Sequence, residues 1–166
     1  MPEMFRVAAL GDGFLGIMGM PGIHESLRET FDGLARLGVD VVVSLLQEPE
    51  ALDLGLAGEQ AACESAGLEF LSFPIEDRGL PSDPEAVSQF SRRAHARIIS
   101  GCGFVFHCRA GIGRSGMMTA SVLLHQGLTV REAFARISAA RGLIVPDTPG
   151  QLEWVESNYA ILVGTT

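Results

Sequence analysis

The sequence predicts an α/β fold: one domain with a central, mostly parallel β-sheet flanked by helices on both faces. Strand and helix signals alternate along the 166 residues without repeats or low-complexity segments. The run 39–46 (VDVVVSLL) is almost continuously apolar, which is typical of a strand covered on both faces. No linker-like segment divides the chain, and 47% hydrophobic residues suffice for a substantial core. We therefore expect residues 1–166 to form a single domain.

The first half of the chain alternates between strand and helix signals. Short apolar runs bounded by turn residues predict four strands, at 5–10, 14–19, 39–46 and 68–73. Apolar residues recur at helical spacing from 25 to 37, and Gly38 is a natural end for that helix. A second helix is predicted at 58–66.

The second half begins with a loop and continues with one strand and four helices. Three prolines and a glycine in residues 74–84 (PIEDRGLPSDP) leave that segment little freedom to be anything but a loop. Asp83 and Pro84 then provide an N-cap and a first-turn proline for a helix that reaches about residue 100. A strand at 103–107 precedes the remaining three helices, at about 113–126, 130–141 and 149–162.

Charge and cysteine content exclude several classes of partner. A formal net charge of -8 repels nucleic acid and anionic membranes at long range, so a local site must hold any anionic ligand. The three cysteines form no C-x-x-C pair and no disulfide framework, which favours a reducing compartment and predicts a cytoplasmic protein. Charged residues interrupt the N-terminal apolar patches, and no run approaches about 18 apolar residues, so neither a signal peptide nor a membrane span is expected.

The segment 103–115 (GFVFHCRAGIGRS) joins a predicted strand to a predicted helix and has the features of an anion site. The amides of a strand-to-helix loop point into the space before the helix. Gly111 and Gly113 permit backbone angles that let successive N–H groups converge on one point. Arg114 adds a planar fork of donors that matches two oxygens of a phosphate. Because the same positive field favours a thiolate, Cys108 is a candidate nucleophile.

Two other interpretations of this loop fail on spacing. A Walker-type nucleotide loop requires Gly-Lys-Ser/Thr, and this loop contains no lysine. A redox pair with Cys102 would have to span roughly 20 Å of extended strand at ~3.3 Å per residue, whereas disulfides join α-carbons within about 7 Å. Burial of Cys108 beside a tight turn would require neither the glycines nor the arginine. Whether Cys63 approaches Cys108 to form a regulatory disulfide is left open by the sequence.

The motif HCRAGIGRS resembles the H-C-x5-R-S/T signature of the protein tyrosine phosphatase superfamily. Its surroundings are similar to the compact dual-specificity branch, particularly the kinase-associated phosphatase type. The likeness covers most of the chain, since VDVVVSLL, FPIEDRGLP and the Gln151 region occupy the family's corresponding places. The resemblance implies a phosphomonoester hydrolase that dephosphorylates proteins or peptides through a phosphocysteine at Cys108.

The resemblance also implies roles for the other residues of the motif. Arg114 and the loop Arg109, Ala110, Gly111, Ile112 and Gly113 would hold the equatorial phosphate oxygens. Ser115 would help to expel the thiolate in the second step. His107 would fix the loop through its imidazole, although a purely structural histidine explains it nearly as well.

Cleavage of a phosphate ester by a thiolate also needs an acid for the leaving oxygen. Asp77 lies on the loop where the resembling family carries this acid. Glu76 is its rival, and since adjacent residues of an extended loop face opposite ways, only one of the two can point into the site. Asp83 is better explained as a helix cap.

Gln151 has two competing explanations. In the resembling family a glutamine near the start of the last helix can orient the hydrolytic water. Thr148 and Gln151 also form a capping box with a proline at the first helical position. The remaining histidines are scattered without metal-ligand spacing, so we expect neither a metal nor another cofactor.

Substrate identity is the least determined part of the prediction. A compact chain without insertions implies a shallow site and dual specificity for phosphotyrosine and phosphoserine or phosphothreonine, in a monomeric protein. A phosphoinositide or inositol phosphate is the alternative substrate, which the absence of loop lysines disfavours. A non-catalytic phosphate-binding module and a rhodanese-like sulfur transferase are the alternatives from other classes.

Overall fold

The computed structural model describes residues 1–164 and contains a five-stranded sheet. Its strands are β1 (Met4–Leu10), β2 (Gly13–Met18), β3 (Val41–Ser44), β4 (Glu69–Ser72) and β5 (Gly103–His107). Their order across the sheet is β1-β2-β5-β3-β4. The β1–β2 hairpin is antiparallel and the other three pairs are parallel. The predicted mostly parallel sheet is confirmed.

Eight helices complete the described part of the chain. They are α1 (Leu27–Arg36), α2 (Glu48–Asp53), α3 (Glu59–Ser65), α4 (Pro84–Ile99), α5 (Arg114–Leu124), α6 (Val130–Arg141), α7 (Pro149–Ser157) and α8 (Tyr159–Val163). Capping boxes begin α1 at Ser26, α6 at Thr129 and α7 at Thr148, because each hydroxyl accepts from the N3 amide. Within residues 1–164, none of the helices is both long and apolar enough to cross a bilayer.

The sheet separates two hydrophobic cores. On β5, Phe104 and Phe106 belong to the larger core, which is built with α4, α5, α6, α7 and α8. Val105 points the other way, into the smaller core beneath α1 and α3. Helices on both faces therefore confirm the predicted layers, and the alternation also directs His107 toward α3 and Cys108 toward the larger core.

Two elements differ from the sequence prediction. The strand predicted at 39–46 ends at Ser44, and a short helix, α2, follows at Glu48; Pro49 and the first-turn acids are typical of a helix start and were overlooked. The helix predicted at 149–162 divides into α7 and α8 at Asn158. Asn158 leaves the helical region with φ −103° and ψ 10°, and its side chain donates to the Trp154 carbonyl at 2.8 Å.

A polar cluster lies between α4 and α5, away from the loop 108–114. The Ser91 hydroxyl and His125 Nε2 are 2.9 Å apart, and the His95 and His125 rings are 5.8 Å apart between centroids. Burial, with smaller contributions from the charges of His95 and Arg92, lowers the pKa of His125 to about 4. An unfolded histidine titrates near ~6.5, so the unfolded chain binds more protons than the folded chain between these values.

We expect acid to destabilise the fold through His125. Stability contributed by its neutral form is complete above pH ~6.5 and decreases as the pH falls toward about 4. The free energy of unfolding in urea, measured at pH 7.5 and pH 4.5, should decrease by about 1–2 kcal/mol less in His125→Gln than in the wild type. The exposed His24→Gln is the control, and equal pH dependence in all three proteins would contradict this assignment.

Candidate active site

The loop 108–114 lies where β5 ends and α5 begins, in the middle of the sheet. Because β2, β3, β4 and β5 are parallel, their carboxyl ends meet at this edge, where open α/β sheets bind ligands. Gly113 is the N-cap of α5, and every residue of that helix is buried. The predicted loop at a helix N-terminus is present. Arg114 is already the first residue of α5.

Glycine is required at two points of the loop. Gly111 has a φ of +71°, and a Cβ there would lie 2.6 Å from the backbone carbonyl of Met18. A Cβ at Gly113 would lie 2.8 Å from the side-chain amide of Gln151. A larger residue at position 111 would therefore push the loop away from β2, whereas one at position 113 would displace the end of the Gln151 side chain.

Carbonyl groups of the loop are bonded on its outer side. Arg141 donates from Nε to Gly111 O at 2.9 Å and from Nη2 to Ala110 O at 3.2 Å. The backbone amide of Met20 donates to Arg109 O at 3.1 Å. With these carbonyls turned outward, the amides of the same loop are free to face an anion. Sequence reasoning missed Arg141, whose position at the end of α6 carries no local signal of this contact.

Arg114 is held in place by a carboxylate that sequence reasoning also missed. Its Nη1 donates to Glu50 Oε2 at 2.7 Å and its Nη2 to Glu50 Oε1 at 2.8 Å, a bidentate pair. Nη1 also donates to the Ile75 carbonyl at 3.0 Å. Burial works to lower the pKa of Arg114, but Glu50 and the charges of Cys108 and Asp77 raise it above its usual value. The guanidinium therefore stays charged although only 2% exposed.

Asp77, the predicted acid, also contacts Arg114. Arg114 Nη2 donates to Asp77 Oδ1 at 2.9 Å, and the Asp77 side chain remains 48% exposed. The segment turns tightly, since Gly79 N donates to Glu76 O at 2.8 Å. Arg78 has a φ of +56° in this turn, a conformation that is unfavourable for a side chain larger than glycine's. An ion pair between Arg78 and Asp147, 3.6 Å apart, links the turn to the segment before α7.

Cys108 has polar neighbours on its own loop. Its Sγ is 3.2 Å from the Ser115 hydroxyl in the first turn of α5, and the side chain is 3% exposed. His107, fully buried, places Nδ1 3.3 Å from the Cys108 carbonyl and Nε2 in a short hydrogen bond to Glu59. Glu59 is a third residue that sequence reasoning missed, because it lies in the first turn of α3 and resembles an ordinary surface acid.

Gln151 takes part in the cap of α7 and also lies beside the loop 108–114. Its Oε1 accepts from the amides of Asp147 and Thr148, both at 3.1 Å, as the capping box requires. Its Nε2 donates to the Gly79 carbonyl at 3.4 Å, and the side chain is fully buried above Gly113. The capping role and proximity to the loop are therefore compatible.

These elements surround one depression of about 180 Å³. Its lining consists of Asp77, Arg78, Cys108, Arg109, Ala110, Gly113, Arg114, Asp147 and Gln151. Gly111 is buried behind it, Ile112 packs against the larger core, and the exposed Glu76 is not part of the lining. His24 lines a separate cavity beside α1. Among residues 1–164, no group of three or more His, Cys, Asp or Glu side chains is arranged to hold a metal ion.

A buried loop cysteine, an anion cradle and a paired arginine on this sheet define the cysteine-based phosphatases of the tyrosine and dual-specificity superfamily. The chain belongs to the family described as "Polymorphic toxin system, DSP-PTPase phosphatase", whose profile matches residues 16–128. It is therefore a phosphatase of this superfamily, as the sequence predicts. No curated protein matches the sequence.

Solved structures of phosphatases share the fold. A kinase associated phosphatase with serine in place of its catalytic cysteine has a TM-score of 0.88 and 16% identity, covering 99% of this chain and 97% of that one. Tk-PTP in its active form gives a TM-score of 0.73 and 26% identity, with 97% of both chains covered. PTPMT1 in complex with PI(5)P gives 0.75 and 22%, covering 98% of this chain and 97% of that one.

Two glycine-to-alanine substitutions at positive φ distinguish the effect of backbone strain from the effect of a Cβ that collides with a neighbouring strand. Gly127→Ala has φ +83° with open space around the new Cβ, so we expect a cost of about 1 kcal/mol in unfolding free energy. Gly111→Ala adds the collision with the Met18 carbonyl, so its loss of unfolding free energy should be larger than that of Gly127→Ala. Orthovanadate, a phosphate analogue, should bind Gly111→Ala about tenfold more weakly than it binds the wild type. Urea unfolding and calorimetry measure both quantities. An equal loss of unfolding free energy in the two variants, with unchanged orthovanadate binding by Gly111→Ala, would contradict the close contact between the loop and β2.

Proposed function

We propose that this chain is a protein phosphatase of dual specificity that acts through a phosphocysteine at Cys108. The observation that carries the proposal is the shared depression: the thiol of Cys108, the guanidinium of Arg114 and the carboxyl group of Asp77 all line it. These are a nucleophile, a phosphate-binding cation and a proton donor, which are the groups that transfer of a phosphoryl group to sulfur needs.

The first step transfers the phosphoryl group to the enzyme. The loop amides and Arg114 bind the phosphate oxygens, and Arg114 Nη2 exchanges its bond to Asp77 for one to the substrate. Cys108 Sγ attacks phosphorus while the bond from phosphorus to the ester oxygen breaks. Protonated Asp77, released from Arg114, gives its proton to the leaving oxygen. Glu50 keeps its bidentate contact with the guanidinium throughout, so Arg114 stays in place while its bond to Asp77 is exchanged.

The second step hydrolyses the phosphocysteine. Asp77, now a carboxylate, accepts a proton from the attacking water, and the sulfur–phosphorus bond breaks to release inorganic phosphate. The Ser115 hydroxyl, 3.2 Å from Sγ, donates to the departing thiolate. Gln151, buried above Gly113, is positioned to orient the water through its amide nitrogen.

Shape and charge support protein substrates. The depression has a volume of about 180 Å³ and opens at the surface, from which we infer that it accepts both aliphatic and aromatic phosphoesters. The alternative substrate is a phosphoinositide, and one similar structure, PTPMT1, holds PI(5)P. Arg78 at the rim is already paired with Asp147, which leaves Arg109 as the additional lining cation, and the net charge of -8 opposes an anionic membrane. We infer a monomeric protein whose free cysteines suit a reducing compartment such as the cytoplasm.

Cys108→Ser should abolish turnover of p-nitrophenyl phosphate without added metal. Loss of the nucleophile should lower kcat by more than about 10³-fold while orthovanadate still binds the loop. Cys102→Ser, at the opposite end of β5, is the matched control and should keep wild-type activity. Full turnover by Cys108→Ser would overturn the assignment of the nucleophile. Vanadate binding by the wild type without any turnover would identify a phosphate-binding module.

Asp77→Asn should lower kcat/KM by about 10²–10⁴-fold, because the leaving oxygen loses its proton donor. The loss should be greater for phosphoserine peptides, whose alkoxide leaves poorly, than for p-nitrophenyl phosphate. In the wild type, kcat/KM should fall at alkaline pH as the acid loses its proton. This fall should be absent in Asp77→Asn. Glu76→Gln, the adjacent acid, is the control; a larger effect at Glu76 than at Asp77 would reassign the acid.

A substrate panel decides between the two substrate classes. Phosphotyrosine and phosphoserine peptides are compared with inositol phosphates and phosphoinositide micelles at equal concentrations. The proposal predicts a higher kcat/KM for both kinds of peptide. A preference for inositol phosphates or phosphoinositides would establish the alternative.

A further inference from the structure

Asp147 presents a second carboxyl group to the depression, beside that of Asp77. It lies in the segment before α7, and its Cβ is 3.1 Å from the point that a Cβ on Gly113 would occupy, so the residue lies directly against the loop 108–114. Its side chain is 41% exposed and is part of the lining. Proton transfer to and from the substrate, as proposed above, occupies Asp77 and leaves Asp147 without a role.

The neighbouring amide of Gln151 has no acceptor to offer a water molecule. Its Oε1 already accepts from the amides of Asp147 and Thr148, both at 3.1 Å, and a carbonyl oxygen has two lone pairs. Its Nε2 donates one hydrogen to the Gly79 carbonyl at 3.4 Å, which leaves one N–H. Gln151 is therefore able to donate to the oxygen of a water molecule but not to accept one of its hydrogens.

Among the lining side chains in the described part of the chain, Asp147 is the acceptor that remains. The sulfur of Cys108 carries the phosphoryl group in the second step, Asp77 takes one proton, and the arginines of the lining only donate. Oδ2 of Asp147 is 3.6 Å from Arg78 Nε, and within residues 1–164 neither carboxylate oxygen of Asp147 takes part in a hydrogen bond. Both oxygens are free to bond to water.

We propose that Asp147 is a catalytic residue of the second step, whose carboxylate accepts a hydrogen bond from the water that attacks the phosphocysteine. The inference rests on the proposed function and adds a group to the same site. The water oxygen bonds to phosphorus, the sulfur–phosphorus bond breaks, and its electron pair stays on the sulfur of Cys108. One proton of the water passes to Asp77, and the other stays on the oxygen and bonds to Asp147. The remaining lone pair of the water accepts from the free N–H of Gln151.

Arg78 makes the charge of Asp147 compatible with a phosphate nearby. A carboxylate beside a bound phosphate would repel it, and the guanidinium of Arg78 offsets that repulsion from 3.6 Å. Arg78 holds this position at a φ of +56°, a conformation that is unfavourable for a side chain larger than glycine's. Backbone strain of this kind is typical of functional sites. The ion pair lets a carboxylate remain in the depression without excluding the substrate.

The number of hydrogens on the attacking oxygen distinguishes this role from a structural one. Water has two hydrogens, so it can give a proton to Asp77 while it bonds to Asp147. An alcohol has one hydrogen, which Asp77 takes, and it has none left for Asp147. Loss of the Asp147 carboxylate should therefore slow attack by water more than attack by an alcohol, whereas a disturbed loop would slow both.

Asp147→Ala tests the role with p-nitrophenyl phosphate as substrate and glycerol as the competing acceptor. The ratio of glycerol phosphate to inorganic phosphate should rise about tenfold over the wild type, because this ratio is determined only after the phosphocysteine has formed. Without glycerol, kcat should fall about tenfold while kcat/KM does not fall, and rapid mixing should show a burst of about one p-nitrophenol per site. Asp12→Asn, in the turn between β1 and β2 at the opposite end of the sheet, is the control and should match the wild type.

The outcomes separate failure of the inference from failure of the proposed function. An unchanged product ratio in Asp147→Ala, or an equal fall of kcat and kcat/KM without a burst, would overturn the role of Asp147 in an active phosphatase. If Asp147→Ala does not fold, Asp147→Asn, which keeps a weaker acceptor, should show a smaller rise of the same ratio, and no rise would overturn the role. Absence of turnover in the wild type would instead contradict the proposed function, and with it this inference.

Discussion

The site depends on the ion pair between Arg114 and Glu50. A buried guanidinium without a partner is strongly unfavourable, and Glu50 satisfies two of its donors from a position 64 residues away in the chain. The Ile75 carbonyl accepts a further bond, so α2, the segment after β4 and the start of α5 converge on one side chain. The short helix α2 thereby has a definite structural role, since its first turn carries the carboxylate that orients Arg114.

The shape of the loop is held by contacts within the protein. Arg141 and the Met20 amide bond its outward carbonyls, His107 faces the Cys108 carbonyl, and the two glycines allow approach to Met18 and Gln151. A loop held in this way can present a fixed array of donors, the arrangement that stabilises developing charge. Asp77 differs from these groups, because its contact with Arg114 lies inside the depression and its side chain is 48% exposed.

Local patterns account for what the sequence predicted well. Strands, capping boxes and the loop 108–114 depend on residues close together in the chain. The resemblance of the motif pointed to Asp77, which lines the depression. Glu59 and Arg141 escaped prediction because their partners lie 48 and 30 residues away and because each looks like an ordinary charged residue of a helix end. The last helix is divided at Asn158, whose side chain donates to the Trp154 carbonyl, and the spacing of apolar residues in this segment does not reveal that contact.

The placement of the three cysteines determines how the protein responds to oxidants. Cys63 belongs to the smaller core on one face of the sheet and Cys108 to the larger core on the other, while Cys102 precedes β5 at its opposite end. A sulfenic acid formed at Cys108 therefore has no thiol of its own chain beside it with which to condense. Recovery from peroxide would fall to small thiols that diffuse into the depression, so the reduced glutathione level of the surroundings, and not an internal disulfide, would set the lifetime of the oxidised enzyme.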